Sequence, residues 1–437
     1  MIPRLKNLIR GWLSRLQRVT GTDMLYAAKG GFWLSSGSVV GTLASLAVVV
    51  AFANLAPKET YGSYKYLMAI AGTLAGFTLT GLGEALMGAA ARGNDGTLRM
   101  FVRRAFRWNL AISAVAFAGA VWYFWRGNAM LGAALVSIAA FLPMTHSAVL
   151  YGPFLAGKRL FQVSARYSAA RALVPAVALI AALRFFPDHP AALVSVFMGA
   201  MAVTTYAAYR LVLRTRVKND SVEPGALRYG KHVSLVNALG AFAANFDKIV
   251  IFQTLGAAPT AVYALAQALP DQVDAVFSHL RTLAIPKFAA RTPQGSFKAL
   301  LRKTAIVALI LVLVTAAAAG LAPFAYGLLF PAYQDAVPYA IALLAAQIPI
   351  GAAHLPMAFL TAHQDIRSRY ALGLIGPAAN IVLLLALIAP FGIWGVVAAK
   401  ILSKFFGLFL AILFSWRLTR SSAPSFMPPA ATPPASS

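Results

Sequence analysis

The chain has no cysteine among its 437 residues, which excludes disulfides, thiolate metal sites and cysteine nucleophiles. Acidic residues are scarce, 12 against 38 basic ones, and six scattered histidines form no ligand cluster. The pattern therefore calls for no metal, no other cofactor and no catalytic set. Charged residues of both signs make up only 11% of the chain, where a soluble domain carries roughly a quarter. No stretch resembles a separate soluble domain.

Apolar sequence fills the chain instead, at 60% of residues. It comes in successive runs of the length that crosses hydrocarbon, about 20 residues each. The runs are rich in Ala, Leu and Gly and lack the alternation of an outer-membrane barrel, so helices must satisfy the buried backbone. Twelve runs are expected, near residues 30–56, 65–91, 106–125, 129–156, 168–186, 191–213, 231–256, 259–284, 303–330, 337–361, 369–390 and 392–416. The fold class is all-α and polytopic.

The basic residues orient these runs. Only Lys58, Lys65, Arg126 and Arg184 fall on the side opposite the termini, and Lys248, Lys400 and Lys404 fall within runs; every other Lys or Arg lies on the side of the termini. By the positive-inside rule both termini are cytoplasmic. Losing one run would swap the sides of every later loop and destroy the asymmetry, which favours twelve spans over eleven or thirteen. Orientation and attraction to anionic lipid headgroups account for most of the excess charge, so no nucleic-acid partner is required.

Residues 1–28 alternate apolar and basic positions at helical spacing, with Leu5, Leu8, Ile9, Trp12 and Leu16 opposite Arg4, Arg10, Arg15 and Arg18, and read as an interfacial amphipathic helix. Residues 421–437 are rich in Pro, Ser and Ala and read as a disordered tail. Between them the chain is duplicated. Ala90–Arg104 aligns without a gap to Ala289–Lys303, matching Arg92 to Arg291, Arg99 to Lys298, Arg103 to Arg302 and Arg104 to Lys303. At nearly the same spacing Tyr64 aligns with Tyr263, Lys29 with Lys231 and Pro175 with Pro377. Each unit holds six spans, giving bundles over 29–216 and 217–420 related by an axis along the membrane normal. Two such bundles enclose a central cleft and can rock to expose it alternately to either side.

Two stretches carry a resemblance. Asn245–Ala266, NFDKIVIFQTLGAAPTAVYALA, and Leu55–Tyr66, LAPKETYGSYKY, resemble paired turns of the polysaccharide transporter, or oligosaccharide flippase, family of the multidrug/oligosaccharidyl-lipid/polysaccharide flippase superfamily. Ala56 and Val262 stand where that family more often has Gly. The resemblance implies outward movement of a polyprenyl-pyrophosphate-linked oligosaccharide, with polysaccharide polymerases and glycosyltransferases as functional partners. A cation-coupled multidrug antiporter, a lipid II flippase and a membrane-embedded glycosyltransferase are the competing readings. A drug-cation cleft should be acidic rather than edged with Lys and Arg, and a transferase should carry a substantial outer loop with carboxylates.

Ionisable groups in mid-membrane cost about 2.5–3.5 kcal/mol each on insertion scales and therefore face a partner or a cavity. At about 1.5 Å per residue, Asp247 and Lys400 sit at matching depth, as do Asp271 and Lys404. Asp247, Asp271, Asp274, Lys400 and Lys404 are accordingly candidates for ion coupling, with permanent Asp–Lys pairing as the structural alternative. Asp271 and Asp274 share a helical face, and Pro270 cannot donate to the carbonyl of Ala266. Lys29, Lys231, Arg92, Arg171 and Arg291 are candidates for attracting a pyrophosphate, with anchoring at the membrane boundary as the alternative. His146 and His354 read as helix-packing residues.

Overall fold

The computed structural model of the protein describes residues 24–277, 284, 285, 288, 293–363 and 365–421. The amphipathic segment up to residue 23, the tail from 422 and Arg291 lie outside the described residues. The helices are α1 (Met24–Leu55), α2 (Lys58–Gly76), α3 (Leu82–Ala91), α4 (Thr97–Trp125), α5 (Ala129–Ala148), α6 (Tyr151–Gly157), α7 (Phe161–Phe185) and α8 (Pro190–Thr215) in the first half. In the second half they are α9 (Ala226–Leu255), α10 (Ala257–Ala266), α11 (Ala268–Phe277), α12 (Pro293–Leu329), α13 (Val337–Ala362) and α14 (Ile366–Ser421), with a 3-10 turn at Pro331–Ala336.

Among the described residues, seven helices are long and apolar enough to cross a membrane by length and composition. The pairs α2–α3, α5–α6 and α10–α11 each make one broken pass, and α14 folds into two arms at Gly392, whose φ of +55° favours glycine. Twelve passes result, six in each half, and the protein is a multi-pass membrane protein. Both ends of the described chain lie on one side, here the terminal side, with Pro57, Gly127, Gly256 and Gly392 on the far side.

The helices overrun the apolar sequence on the terminal side. α4 begins at Thr97 and α7 at Phe161, so Arg99, Arg103, Arg104 and Arg166 extend the helices rather than lying in loops. At the far end Pro57 caps α2 and the helix starts at Lys58. Lys65 therefore stands two turns inside the second pass, not in the far-side loop that hydropathy suggests.

The breaks of the second and eighth passes find side-chain hydrogen-bond partners near their loosened backbone, as lipid requires. Gly81 N–H donates to Ser234 Oγ at 2.9 Å, and Thr78 Oγ1 donates to the Ala75 carbonyl at 2.6 Å. In the eighth pass the helix interrupts at Gln267, and Tyr326 Oη donates at 2.9 Å to the Leu265 carbonyl. The break falls three residues before Pro270, and the donor from the ninth pass reaches the Leu265 carbonyl, not that of Ala266.

Within the halves the first pass packs on the fifth, the third on the fourth and the ninth on the tenth; between the halves the second pass packs against the seventh and eighth. Glycines set that seam. A Cβ on Gly76 would strike Ala241, and one on Gly230 would press into Leu82, so the helices approach backbone to backbone.

Candidate functional site

Asp247, on α9, is buried and held from every side. Its Oδ2 accepts from Tyr263 Oη at 2.8 Å, Gln267 Nε2 at 3.1 Å and Lys400 Nζ at 3.4 Å. Its Oδ1 accepts from the Lys248 N–H at 2.8 Å, with Lys248 Nζ at 3.6 Å. The depth match of Asp247 and Lys400 is met by contact, and the carboxylate is saturated with donors. It is built as a junction of the seventh, eighth and twelfth passes.

The aspartates of the eighth pass are arranged differently from the pairing expected for them. Asp274 Oδ1 faces His354 Nε2 of the tenth pass at 3.4 Å, and Asp271 is exposed on the same helical face. Among the described residues no ion pair joins Lys404 to either of them. His354 thus stands against a carboxylate as well as packing in its helix; lateral helix order, invisible in sequence, brings it to Asp274.

Each half holds a cavity with basic residues in its wall. The first, of about 290 Å³, is enclosed by the first, second, fifth and sixth passes, and Lys65 and Arg171 line it with no acidic residue in its wall. Arg171 Nε is buried with no hydrogen-bond partner among the described residues, and Lys65 Nζ stands over the Tyr61 ring at 5.3 Å. The second, of about 310 Å³, lies among the seventh, tenth, eleventh and twelfth passes, with Lys404, Asn380 and Ser403 as its main polar wall. Ser403 Oγ donates to Asn380 Oδ1 at 3.0 Å. Both cavities can attract an anion by fixed charge in a weakly polar setting. Of the expected anion-attracting residues, Arg171 lies in a cavity; Lys65 was missed, although Pro57 followed by Lys58 and Glu59 is a helix-start signal that would have placed it inside the span.

At the terminal side Arg92 is committed elsewhere. Its Nε bonds Glu223 Oε1 at 3.1 Å, and Asn94 also donates to that carboxylate. Nearby, fully buried Asp95 pairs with Lys158 and accepts the Lys218 N–H at 2.9 Å. Asp95 N–H in turn donates to Asn219 Oδ1 at 3.1 Å, and Arg99 pairs with Asp220. These contacts strap the linker between the halves onto the first half, and they gather three of the chain's few acids. Lys231 is exposed near the start of α9 and Lys29 lies on α1, while Arg92, a candidate of the same kind, is paired with Glu223.

The guanidinium of Arg92 holds the Glu223 carboxyl below the usual carboxylate range. A folded-state value below the unfolded one contributes stability above the unfolded value, lost as pH falls through the folded one. Amide hydrogen exchange at Lys218 and Glu223, corrected for its intrinsic pH dependence, is therefore expected to accelerate only as pH falls below the ordinary carboxylate range. Glu223→Gln should give the fast rate at neutral pH.

With this geometry in view, a sequence profile described as polysaccharide biosynthesis protein matches residues 27–289. A search among curated proteins finds no match. Among solved structures the fold is similar to an inward-facing multidrug resistance MATE family transporter of the MOP superfamily, at 15% identity, TM-score 0.67, covering 90% of this chain and 100% of that one. It is also similar to an outward-facing MATE family transporter, at 14% identity and TM-score 0.63, covering 91% and 97%. A MOP superfamily transporter from Pyrococcus furiosus, described as having a binding pocket of reversed polarity that suggests a different function, matches at 14% identity and TM-score 0.55, covering 92% and 97%. At these identities the likeness is one of fold.

Proposed function

The chain belongs to the polysaccharide biosynthesis protein family, and from that premise we propose that it is a flippase carrying a polyprenyl-diphosphate-linked oligosaccharide across the bacterial inner membrane by alternating access. The observation that carries this reading is the acid-free wall of the first-half cavity, where Lys65 and Arg171 face open space inside the membrane. Cations at that depth are costly without a counter-charge, and a diphosphate supplies two or more negative charges and acceptors matched to guanidinium and ammonium. The polyprenyl tail stays in lipid while the head crosses.

The terminal side, with its basic excess, is the cytoplasmic side in this reading. With the cytoplasm negative, each exported negative charge gains about 2.3 kcal/mol per 100 mV, so the potential itself drives an anionic head outward. Lys231 and the basic helix ends around Arg99 and Arg103 then stand where anionic lipid and an approaching head meet the protein.

The test is translocation of a fluorescent short-chain polyprenyl-diphosphate N-acetylglucosamine in proteoliposomes, read by quenching from outside. Lys65→Gln with Arg171→Gln is expected to slow it about tenfold or more, since a charged hydrogen bond is worth about 1.5–3 kcal/mol, while the protein still elutes as a single species in detergent. Wild-type rates in the double variant would overturn the cavity assignment. Efflux of a lipophilic cation such as ethidium, with no glycolipid movement, would favour the antiporter reading instead.

A further inference from the structure

Two lysines one turn apart on the last pass have opposite fates. Lys400 is neutralised, its Nζ 3.4 Å from Asp247 and 5.7 Å from the centre of the Tyr263 ring. Lys404, on the wall of the second-half cavity, has no ion-pair partner among the described residues. The nearby acids are otherwise engaged or directed elsewhere. Asp247 is saturated by Tyr263, Gln267, Lys248 and Lys400, and Asp274 faces His354. Neither Asp271 nor Asp274 lines this cavity.

The first-half cavity has its own cations, Lys65 and Arg171, with no acidic residue in its wall, and is bounded by different passes. One diphosphate group spans only a few ångströms and cannot fill two cavities in separate bundles. Beside Lys404 the wall carries the Asn380 amide and the Ser403 hydroxyl, bonded to one another, while Gly376, Gly407 and Ala243 leave room against the helix backbones. An ammonium with an amide and a hydroxyl, on a floor of small residues, suits a sugar ring bearing a carboxylate: the charge meets Lys404 and the ring hydroxyls meet Asn380 and Ser403.

We propose that the second-half cavity is a subsite for an acidic sugar of the glycan, recognised through Lys404, so that the transported oligosaccharide carries a negative charge beyond its diphosphate. The inference rests on the flippase reading and names its substrate class. A carboxylate there completes a charge pair that the protein leaves half-made. A neutral sugar leaves Lys404 without a contacting anion, and the difference is a basis for selection among glycans that share one lipid carrier.

The experiment uses purified full-length protein and two synthetic probes, farnesyl-diphosphate N-acetylglucosamine and farnesyl-diphosphate glucuronic acid, with binding followed by titration calorimetry in detergent. Wild type is expected to bind the acidic probe about tenfold or more tightly than the neutral one. Lys404→Gln should abolish that preference without weakening the neutral probe, and Lys404→Arg should retain it. Equal affinity of wild type for the two probes, or equal loss of both in Lys404→Gln, would overturn the subsite. Failure of both probes to bind wild type would count against the flippase reading and the subsite that rests on it; binding of both with no preference removes the subsite alone.

Discussion

Asp247→Ala is expected to cost the protein most of its stability in detergent. The carboxylate is the common acceptor for a tyrosine, a glutamine and a backbone N–H, and the counter-ion of two lysines. Removing it takes from both ammonium groups the carboxylate that they contact, and breaking a buried pair from one side costs about 3–5 kcal/mol. Asp247→Asn keeps the shape and part of the hydrogen bonding, so its loss should be smaller. Lys400→Met added to Asp247→Asn should recover part of that loss, because it removes one of the two stranded charges. Heating followed by size-exclusion chromatography reads all three variants. If Asp247→Ala melts with wild type, the junction is not structural. If Asp247→Asn is stable yet translocation stops, the carboxylate has a transport role of the ion-coupling kind that its intramembrane position suggests.

The same residue shows what the sequence makes legible. Depth is set by a fixed rise per residue, so Asp247 and Lys400 can be matched from helix ends alone. The order of helices around a bundle is not encoded locally, and the residue that faces Asp274 proved to be His354 of the tenth pass instead of a lysine. Pass number is legible because hydrophobic length and basic asymmetry check one another. The start of the second pass is not, since hydropathy places it at Lys65 while Pro57 starts the helix at Lys58. That displacement hides one of the cations in the first-half cavity. The strap of Asp95, Asn219 and Glu223 joins a loop to the linker more than a hundred residues later, and nothing short-range in either segment announces it. Arg92 was therefore legible as a cation at the edge on the terminal side but not as one whose charge is spent on Glu223.

Gly62→Val is expected to prise the two halves apart on the far side and to stop transport. Gly62 lies one turn into α2, and a Cβ there would run into the Ala257 carbonyl at the start of α10. Neither backbone can yield alone, because contacts between the halves surround the point. Asn54 Nδ2 donates to the Leu329 carbonyl at 2.9 Å and Lys58 pairs with Asp335 at 2.8 Å. Tyr66 stacks on Phe252 with centroids 4.0 Å apart, while Gln253 Nε2 donates to Tyr66 Oη at 2.6 Å and to Tyr123 Oη at 2.9 Å. Forcing a side chain into a packed contact costs about 1–3 kcal/mol, and that penalty falls only on the arrangement in which the far side is shut. At 1.4 kcal/mol per factor of ten, the closed population should fall by about five- to over a hundredfold, and a carrier unable to close its far side cannot present an emptied cleft to the cytoplasm. With no native cysteine, Ser45→Cys on the wall of the first-half cavity gives a clean reporter. An impermeant thiol reagent applied to the far side should label it in the Gly62→Val background and leave it largely unlabelled otherwise. Wild-type translocation by Gly62→Val, with the reporter still protected, would show that the contact at Ala257 is not the far-side gate.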